Sequence, residues 1–255
     1  IGLIDPELRY SDGIRDFVTL KFKEKSVVSA EPPRPCSSYM KCCLKLCDVI
    51  LEAMDPLLPG RAIAHSGGSG GSIIVSWKGD TKPKRGNQYE IFGSAYGAGS
   101  GADGASGASV MLANLFAAPV EIIETEFPCR IRKFNLNIDS GGAGKFRGGL
   151  NFLREYEMLE PGEIVYRADR SIEPPAGLKG GQPGGPSRFI VNPGTKDEKI
   201  MPSSARMLLS EGTIFQVNGP GGGGYGNPKE RDRQSLADDI AEGYVSEEAA
   251  DKFYR

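Results

Sequence analysis

The chain has 255 residues, 39% of them hydrophobic and 25% charged, with a formal charge of −2, the profile of a globular chain able to bury its own core. That balance gives no broad electrostatic pull toward nucleic acid or anionic lipid, and the sequence has no run of about 18 apolar residues that would cross a bilayer as a helix. The opening Ile1-Gly2-Leu3-Ile4-Asp5-Pro6 lacks Met and the basic, apolar, small-residue order of a secretory signal, so it reads as a chain that starts within a longer polypeptide.

In chain order, Phe17, Thr19 and Lys21 alternate with Val18, Leu20 and Phe22, which predicts a strand. Glu31-Pro32-Pro33-Arg34-Pro35 then breaks the chain. A helix over 37–54 follows, with Ser37 or Ser38 as its cap, and its spacing places Met40, Cys43, Leu44, Cys47, Ile50, Leu51 and Met54 on one apolar face. Four of the five cysteines, Cys36, Cys42, Cys43 and Cys47, fall within twelve residues here, and Cys129 stands apart. A disulfide framework, a zinc cluster and plain core are the three readings. The helix makes two of them core residues, and a zinc site is short of ligands because the chain has a single histidine. A reduced, cytoplasmic protein is the simpler account.

Ile73-Ile74-Val75 to Trp77 and Tyr89 to Phe92 predict a hairpin around a polar turn at 79–86. After the Gly/Ala tract 95–108, Val110 to Ala118 predicts a short helix ending before Pro119. Strands are expected at 130–139, 152–158, 163–168, 188–191 and 213–217, with glycine turns between them. Asp232 to Ala241 and Ser246 to Phe253 read as helices, the second with a Ser cap and an acidic first turn. The expected class is therefore α+β and β-rich: short strands with glycine-rich turns, one amphipathic helix near the N-terminus and a small helical C-terminal tail.

Gly99-Ser100-Gly101-Ala102-Asp103-Gly104 satisfies GxGxxG, with Glu121 further on, but the alternating β and α units of a dinucleotide fold do not follow. Ser140 to Gly149 contains Gly144-Lys145, yet Phe146 stands where a phosphate loop needs Ser or Thr. Open amides with Lys145 and Arg147 could still cradle a carboxylate or phosphate, set against tight turns with two solvated basic side chains. His65 would need an orienting carboxylate to act as a base, and Ser66 and Ser69 lack the context of a nucleophile elbow.

The text Asp139 to Gly149, DSGGAGKFRGG, followed by Arg154-Glu155-Tyr156, resembles the hydantoinase B family, which also includes 5-oxoprolinase and the large subunits of acetone and acetophenone carboxylases. Pro119-Val120-Glu121 with Glu126-Phe127-Pro128, Asp169-Arg170 with Pro174-Pro175 and Gly177-Leu178, and Gly221 to Arg231 agree in order. Ala176 departs from the usual Trp after the proline pair, and Asn227 replaces the usual Asp.

The resemblance implies an ATP-dependent enzyme in which an A-type partner binds ATP and phosphorylates a carbonyl or lactam oxygen, and a B-type partner handles the activated species. Cyclic-amide hydrolysis of the hydantoin or 5-oxoproline type is the expected reaction, with ketone carboxylation as the alternative. A non-catalytic interaction domain of such a complex is the competing class. The family's metal-binding histidines and aspartate lie in its N-terminal half, so this chain is expected to bind no metal or ATP itself, with both elsewhere in the complex, and to be inactive alone. Residues 1–255 are expected to be one C-terminal portion of a B-type subunit, with a sub-boundary near 228. Expected partners are the N-terminal half of that subunit, the A-type subunit and a small-molecule substrate. Asp103, Lys145, Arg147, Asp169 and Arg170 are candidate ligand-binding residues, because charge beside open backbone is where ligands meet protein.

Overall fold

The computed structural model describes residues 5, 7–9, 11–79, 85–111, 113 and 115–255. The hairpin forms from β1 (Ser72–Lys78) and β2 (Arg85–Ile91), where Ile73, Val75 and Trp77 alternate inward. With β5 (Gly162–Arg167) and β8 (Ser204–Leu209) they make a four-stranded sheet of order β2-β1-β5-β8. The second sheet has order β3-β4-β9-β6-β7, from β3 (Cys129–Leu136), β4 (Phe152–Met158), β6 (Arg188–Val191), β7 (Lys199–Met201) and β9 (Ile214–Asn218). All pairings between these strands are antiparallel.

Inward residues of the two sheets form one core, as in a β-sandwich. Tyr156 stacks on Phe215 at 4.8 Å and Tyr166 on Phe189 at 4.6 Å between ring centroids, so aromatic area dominates the burial. Edge strands β7 and β8 were not expected from the sequence. An edge strand is wet on more than one side, which leaves a weak alternation to read, and in β8 only Leu209 is fully buried.

Helix α1 spans Met40–Met54 and begins later than expected: Tyr39 takes the N-cap position and makes no side-chain cap bond. Two other expectations fail. Residues 17–22 are not a strand. A 3₁₀ turn at Asp12–Phe17 leads into irregular chain with Phe17 91% exposed, and alternation without a partner strand forms no ladder. No helix occupies the described residues of 110–118. Instead α2 (Val120–Glu126) starts directly after Pro119, which sits at the N-cap, where a missing N–H costs nothing. The two tail helices form as read, α3 (Arg233–Ala241) and α4 (Glu247–Phe253), with Ser246 as the expected cap of α4; Asp232, read as helical, instead caps α3. The tail packs Val245, Ala250 and Tyr254 on Ala143, and Asp139 ties it down by accepting from the Ser246 amide at 2.8 Å.

The glycine-rich stretches are not turns between strands. Gly221–Gly224 runs through the middle of a backbone-to-backbone layer, with the Gly221 amide on the Gly185 carbonyl, Gly222 on Gly149, Gly223 on His65 and Gly224 on Gln182, each at 2.9 Å. Three residues after Gly222, Tyr225 donates to Phe146, so both the 182–185 and the 146–149 segments are met again after three residues. That period belongs to an extended helix of three residues per turn, which bonds outward because it has no internal hydrogen bonds.

At such spacing there is no room for side chains. A Cβ at Gly221, Gly222, Gly223 or Gly224 would run into the carbonyl of Ser140, Tyr96, Ala176 or Ala143 respectively. Replacing Gly222 by Ala is expected to destabilise the protein by about 2–3 kcal/mol through overpacking. At exposed Gly13, where an added Cβ meets only Ser11 Oγ at 3.9 Å, the same change should stay within about 0.5 kcal/mol. Urea midpoints of the two variants check this, and similar shifts would contradict it.

Candidate functional site

The five candidate residues divide into two places. Asp103, Lys145 and Arg147 meet beside the tail. Asp103 accepts from the Arg147 amide at 2.7 Å and takes both Arg231 guanidinium nitrogens, at 2.9 and 2.8 Å. The Arg147 side chain is not solvated as the turn reading supposed: it is 5% exposed, pairs with Asp239 at 3.2 Å and lies 5.3 Å from the Tyr244 ring centre. Lys145 remains half exposed and faces Glu230 at 3.5 Å. The amides of Gly142, Lys145, Phe146, Gly148 and Gly149 all donate to carbonyls of the chain. The donors of an anion cradle are therefore already used, and these residues do not fit a phosphate group.

Burial works to raise the Asp103 carboxyl, but the hydrogen bonds and charge of Arg231 outweigh it and hold the group below its ordinary value. A depressed folded value stabilises the fold above the unfolded value of about 4 and loses that contribution as pH falls through the folded value. Asp103→Asn is expected to cost about 1–2 kcal/mol at pH 7, less than a fully buried pair because Asp103 is partly exposed. It should also flatten the loss of stability below about pH 4. Urea unfolding at stepped pH measures both, and an unchanged acid slope would contradict the pairing.

Asp169 and Arg170 lie under α1. The face that α1 turns inward is the expected stripe in part: Leu44 is buried and Met40, Cys43, Cys47, Leu51 and Met54 are half-buried, but Ile50 is 51% exposed, and the acidic Asp48 and Asp55, 2% and 4% exposed, are buried beside them. Asp48 accepts from the Ser66 amide at 3.1 Å and from Arg170, Glu52 meets His65 Nε2 at 2.9 Å, and Asp55 pairs with Lys179. Acidic residues four and then three apart thus fasten the helix to the loops around 65, 170 and 179. Burial raises the Asp48 carboxyl above its ordinary value, against the Ser66 amide and the charge of Arg170. Asp169 accepts from Ser69 Oγ at 3.3 Å through one oxygen, while its other oxygen is buried without a hydrogen bond. Burial lowers the Lys41 ammonium even though the Asp169 charge opposes it. His65 therefore has the carboxylate that sequence alone could not place, in a contact that docks a helix.

A third group went unseen in the sequence. Glu90 on β2 accepts from Arg154 and from the Tyr156 hydroxyl, at 2.5 Å for the latter, both on β4 of the opposite sheet. Gln88 donates to the same carboxylate at 3.2 Å. Burial, then the Glu90 charge, pushes the Tyr156 phenol well above its usual range, so it stays a proton donor. Arg154 is 1% exposed and lies 4.0 Å from the Phe134 ring centre. The available signal was positional: in β4, Arg154 shares the core-facing side with Phe152, Tyr156 and Met158.

Above this pair lies a cavity of about 590 Å³ between β2, β3, β4 and the loops at 106–109 and 115–118. A smaller one of about 260 Å³ shares Ile91, Phe92, Gly93, Ser109 and Leu115 with it and reaches Gly68 and Ser69, next to Asp169. Among the described residues no three or more His, Cys, Asp or Glu side chains converge to hold a metal ion. The described cysteines are unpaired thiols, and burial pushes Cys129 up to about 12.

The model of the family described as hydantoinase B/oxoprolinase matches residues 1–228. An uncharacterized protein of Methanocaldococcus jannaschii is 34% identical across the whole chain, which spans 44% of that protein. The caprolactamase subunit beta of Pseudomonas jessenii is 27% identical over 94% of the chain and 43% of its own length. The crystal structure of the ATP-dependent caprolactamase from Pseudomonas jessenii has the same fold, with a TM-score of 0.75 at 23% identity over 87% of this chain and 40% of that one. A nucleotide-free acetone carboxylase follows at 0.59 and 21% identity, over 74% of this chain and 30% of that one. The chain thus spans less than half the length of these relatives. The α+β, β-rich architecture is that of this group, and the chain belongs to the hydantoinase B/oxoprolinase family.

Proposed function

We propose that this chain is the C-terminal portion of a B-type subunit in an ATP-dependent complex that hydrolyses a cyclic amide. The observation that carries the reading is the family match over residues 1–228 together with the fold it shares with an ATP-dependent caprolactamase. Ring opening of a lactam by water is slow because the amide carbon is a poor electrophile. Phosphorylation of the oxygen by an A-type partner supplies the activation, and the B-type subunit receives the activated ring. ATP and a divalent metal are assigned in this proposal to other parts of the complex.

Assembly with further chains is supported by the outward side of α1. Tyr39, Cys42, Leu46, Val49 and Ala53 follow each other at spacings of three and four and are all exposed, Tyr39 at 63% and Val49 at 54%. A stripe of that spacing is the seam of a helix–helix contact, and the N-terminal half of the subunit is the partner assigned to it. No described helix is long and apolar enough to cross a membrane.

The second reading, ketone carboxylation, is favoured only by the weaker likeness to acetone carboxylase. Incubating the assembled complex with ATP and either a lactam or a ketone plus labelled bicarbonate separates the two. The expected outcome is ADP and ring-opened amino acid from the lactam, no label fixed, and no turnover by the 255-residue chain alone. Label incorporation would favour the carboxylase, and robust activity of the lone chain would overturn the half-subunit reading.

A further inference from the structure

We infer that the segment 17–22 forms a β-strand only in the assembled subunit, added to an open sheet edge of its N-terminal part, with Val18, Leu20 and Phe22 buried against that partner. The choice of partner rests on the proposal that this chain is one portion of a B-type subunit; the need for a partner rests on the segment itself.

Phe17-Val18-Thr19-Leu20-Lys21-Phe22 is rich in the β-branched and aromatic residues that favour strands, and it has no proline. Its two faces differ. Val18, Leu20 and Phe22 make one face wholly apolar, whereas Thr19 and Lys21, with Lys23 beyond them, make the other polar apart from Phe17. Such alternation belongs to a strand with one side on a core and the other in water.

In the chain by itself that apolar side has no core. Every residue from 16 to 25 is exposed, with Val18 at 48%, Leu20 at 69% and Phe22 at 53%. Among the described residues, no backbone amide or carbonyl of 18–22 bonds to another backbone group. An extended segment with its ladder groups and its apolar face both unused is a template for strand addition, in which main-chain bonds hold the strand and alternate side chains select the partner.

Length argues which polypeptide supplies the edge. The family match includes the segment, since it begins at residue 1. The Methanocaldococcus jannaschii relative is matched along the whole of this chain yet has more than half its length outside the match, and the caprolactamase subunit beta likewise extends well beyond it. The segment therefore lies in the shared portion, and a subunit of that length has ample further polypeptide to cover it. Six residues fall far short of the roughly 20–30 a side that hold two separate copies together. The strand needs a partner that also meets this chain elsewhere, as the N-terminal part is assigned to do along the exposed stripe of α1.

Hydrogen exchange of the 255-residue chain, alone and with the N-terminal part of the subunit added as a separate polypeptide, tests the pairing. Alone, the amides of 18–22 should exchange as in an unfolded peptide. In the complex every second one should slow by about a hundredfold or more, the mark of a strand bonded along one side. Leu20→Ser should weaken the complex by about tenfold to a hundredfold, the worth of one buried leucine, while Lys21→Ser stays within about twofold. Both side chains are exposed in the lone chain, so the urea midpoints of both variants should match the wild type. Unchanged exchange at 18–22 in the complex, equal weakening by the two variants, or no complex at all would overturn the inference. So would slowing in the chain alone that grows with its concentration, which assigns the edge to a second copy. Turnover by an assembled complex with 18–22 unslowed would sink the pairing and leave the enzyme reading. A slowed strand in a complex that turns over neither lactam nor ketone would leave the pairing standing and remove that reading.

Discussion

The fold depends on backbones approaching closer than any side chain permits. Gly221–Gly224 is surrounded by the segments at 65, 96–98, 140–149, 176–178 and 182–185, and their amides and carbonyls bond to one another in several directions. In a sheet each strand satisfies its backbone toward two neighbours and spends its side chains on packing. In this layer glycine gives up side-chain packing, and the bonds spread around the axis with a three-residue period. The entropy that glycine loses on folding is large, so the layer is stable only because its bonds are many and mutually dependent.

That layer also positions the charged groups. His65 sits in it through both backbone groups, donating to Ala176 and accepting from Gly223, which places its ring beside Glu52 of α1. Arg147 lies within the 140–149 segment, so its side chain leaves the layer toward the tail and meets Asp239. The glycines thus contribute position, and the chemistry available to a ligand comes from the charges they hold. A buried ion pair is weak evidence of stability by itself, but here each pair joins elements far apart in the chain, Asp48 to Arg170 and Asp103 to Arg231. Their effect is to fix where α1 and the tail lie.

Between the two sheets, Glu90 and Arg154 form a different arrangement. This pair bridges the sandwich at its open end, where the aromatic core gives way to a cavity. A charged pair at that border closes the core without filling the space above it, whereas two apolar residues would have packed against each other and extended the core. The adjoining smaller cavity reaches Ser69, which donates to one oxygen of Asp169. The other oxygen of Asp169 is buried without a hydrogen bond, while Asp103 and Arg147 are engaged within the protein.

Local pattern was sufficient for much of the architecture. The strands β1, β4, β5, β6 and β9 and the Ser246 cap could be read directly, because strand and cap preferences depend on residues within a few positions of each other. The ordered motifs from Pro119 to Arg231 likewise identified the family by text alone. Tertiary structure decided the rest. Apolar spacing on α1 suggested a buried face, yet the helix turned Asp48 and Asp55 inward because partners more than a hundred residues away neutralise or bond them. The strand expected at 17–22 had the right alternation and no neighbour to pair with. The glycines of 140–149 and 221–226 could be recognised but not explained, since nothing local tells a turn from a packed extended segment. The sequence by itself determined which segments prefer helix or strand, whereas the destination of each buried charge and each glycine amide was set by which distant backbone arrived beside it.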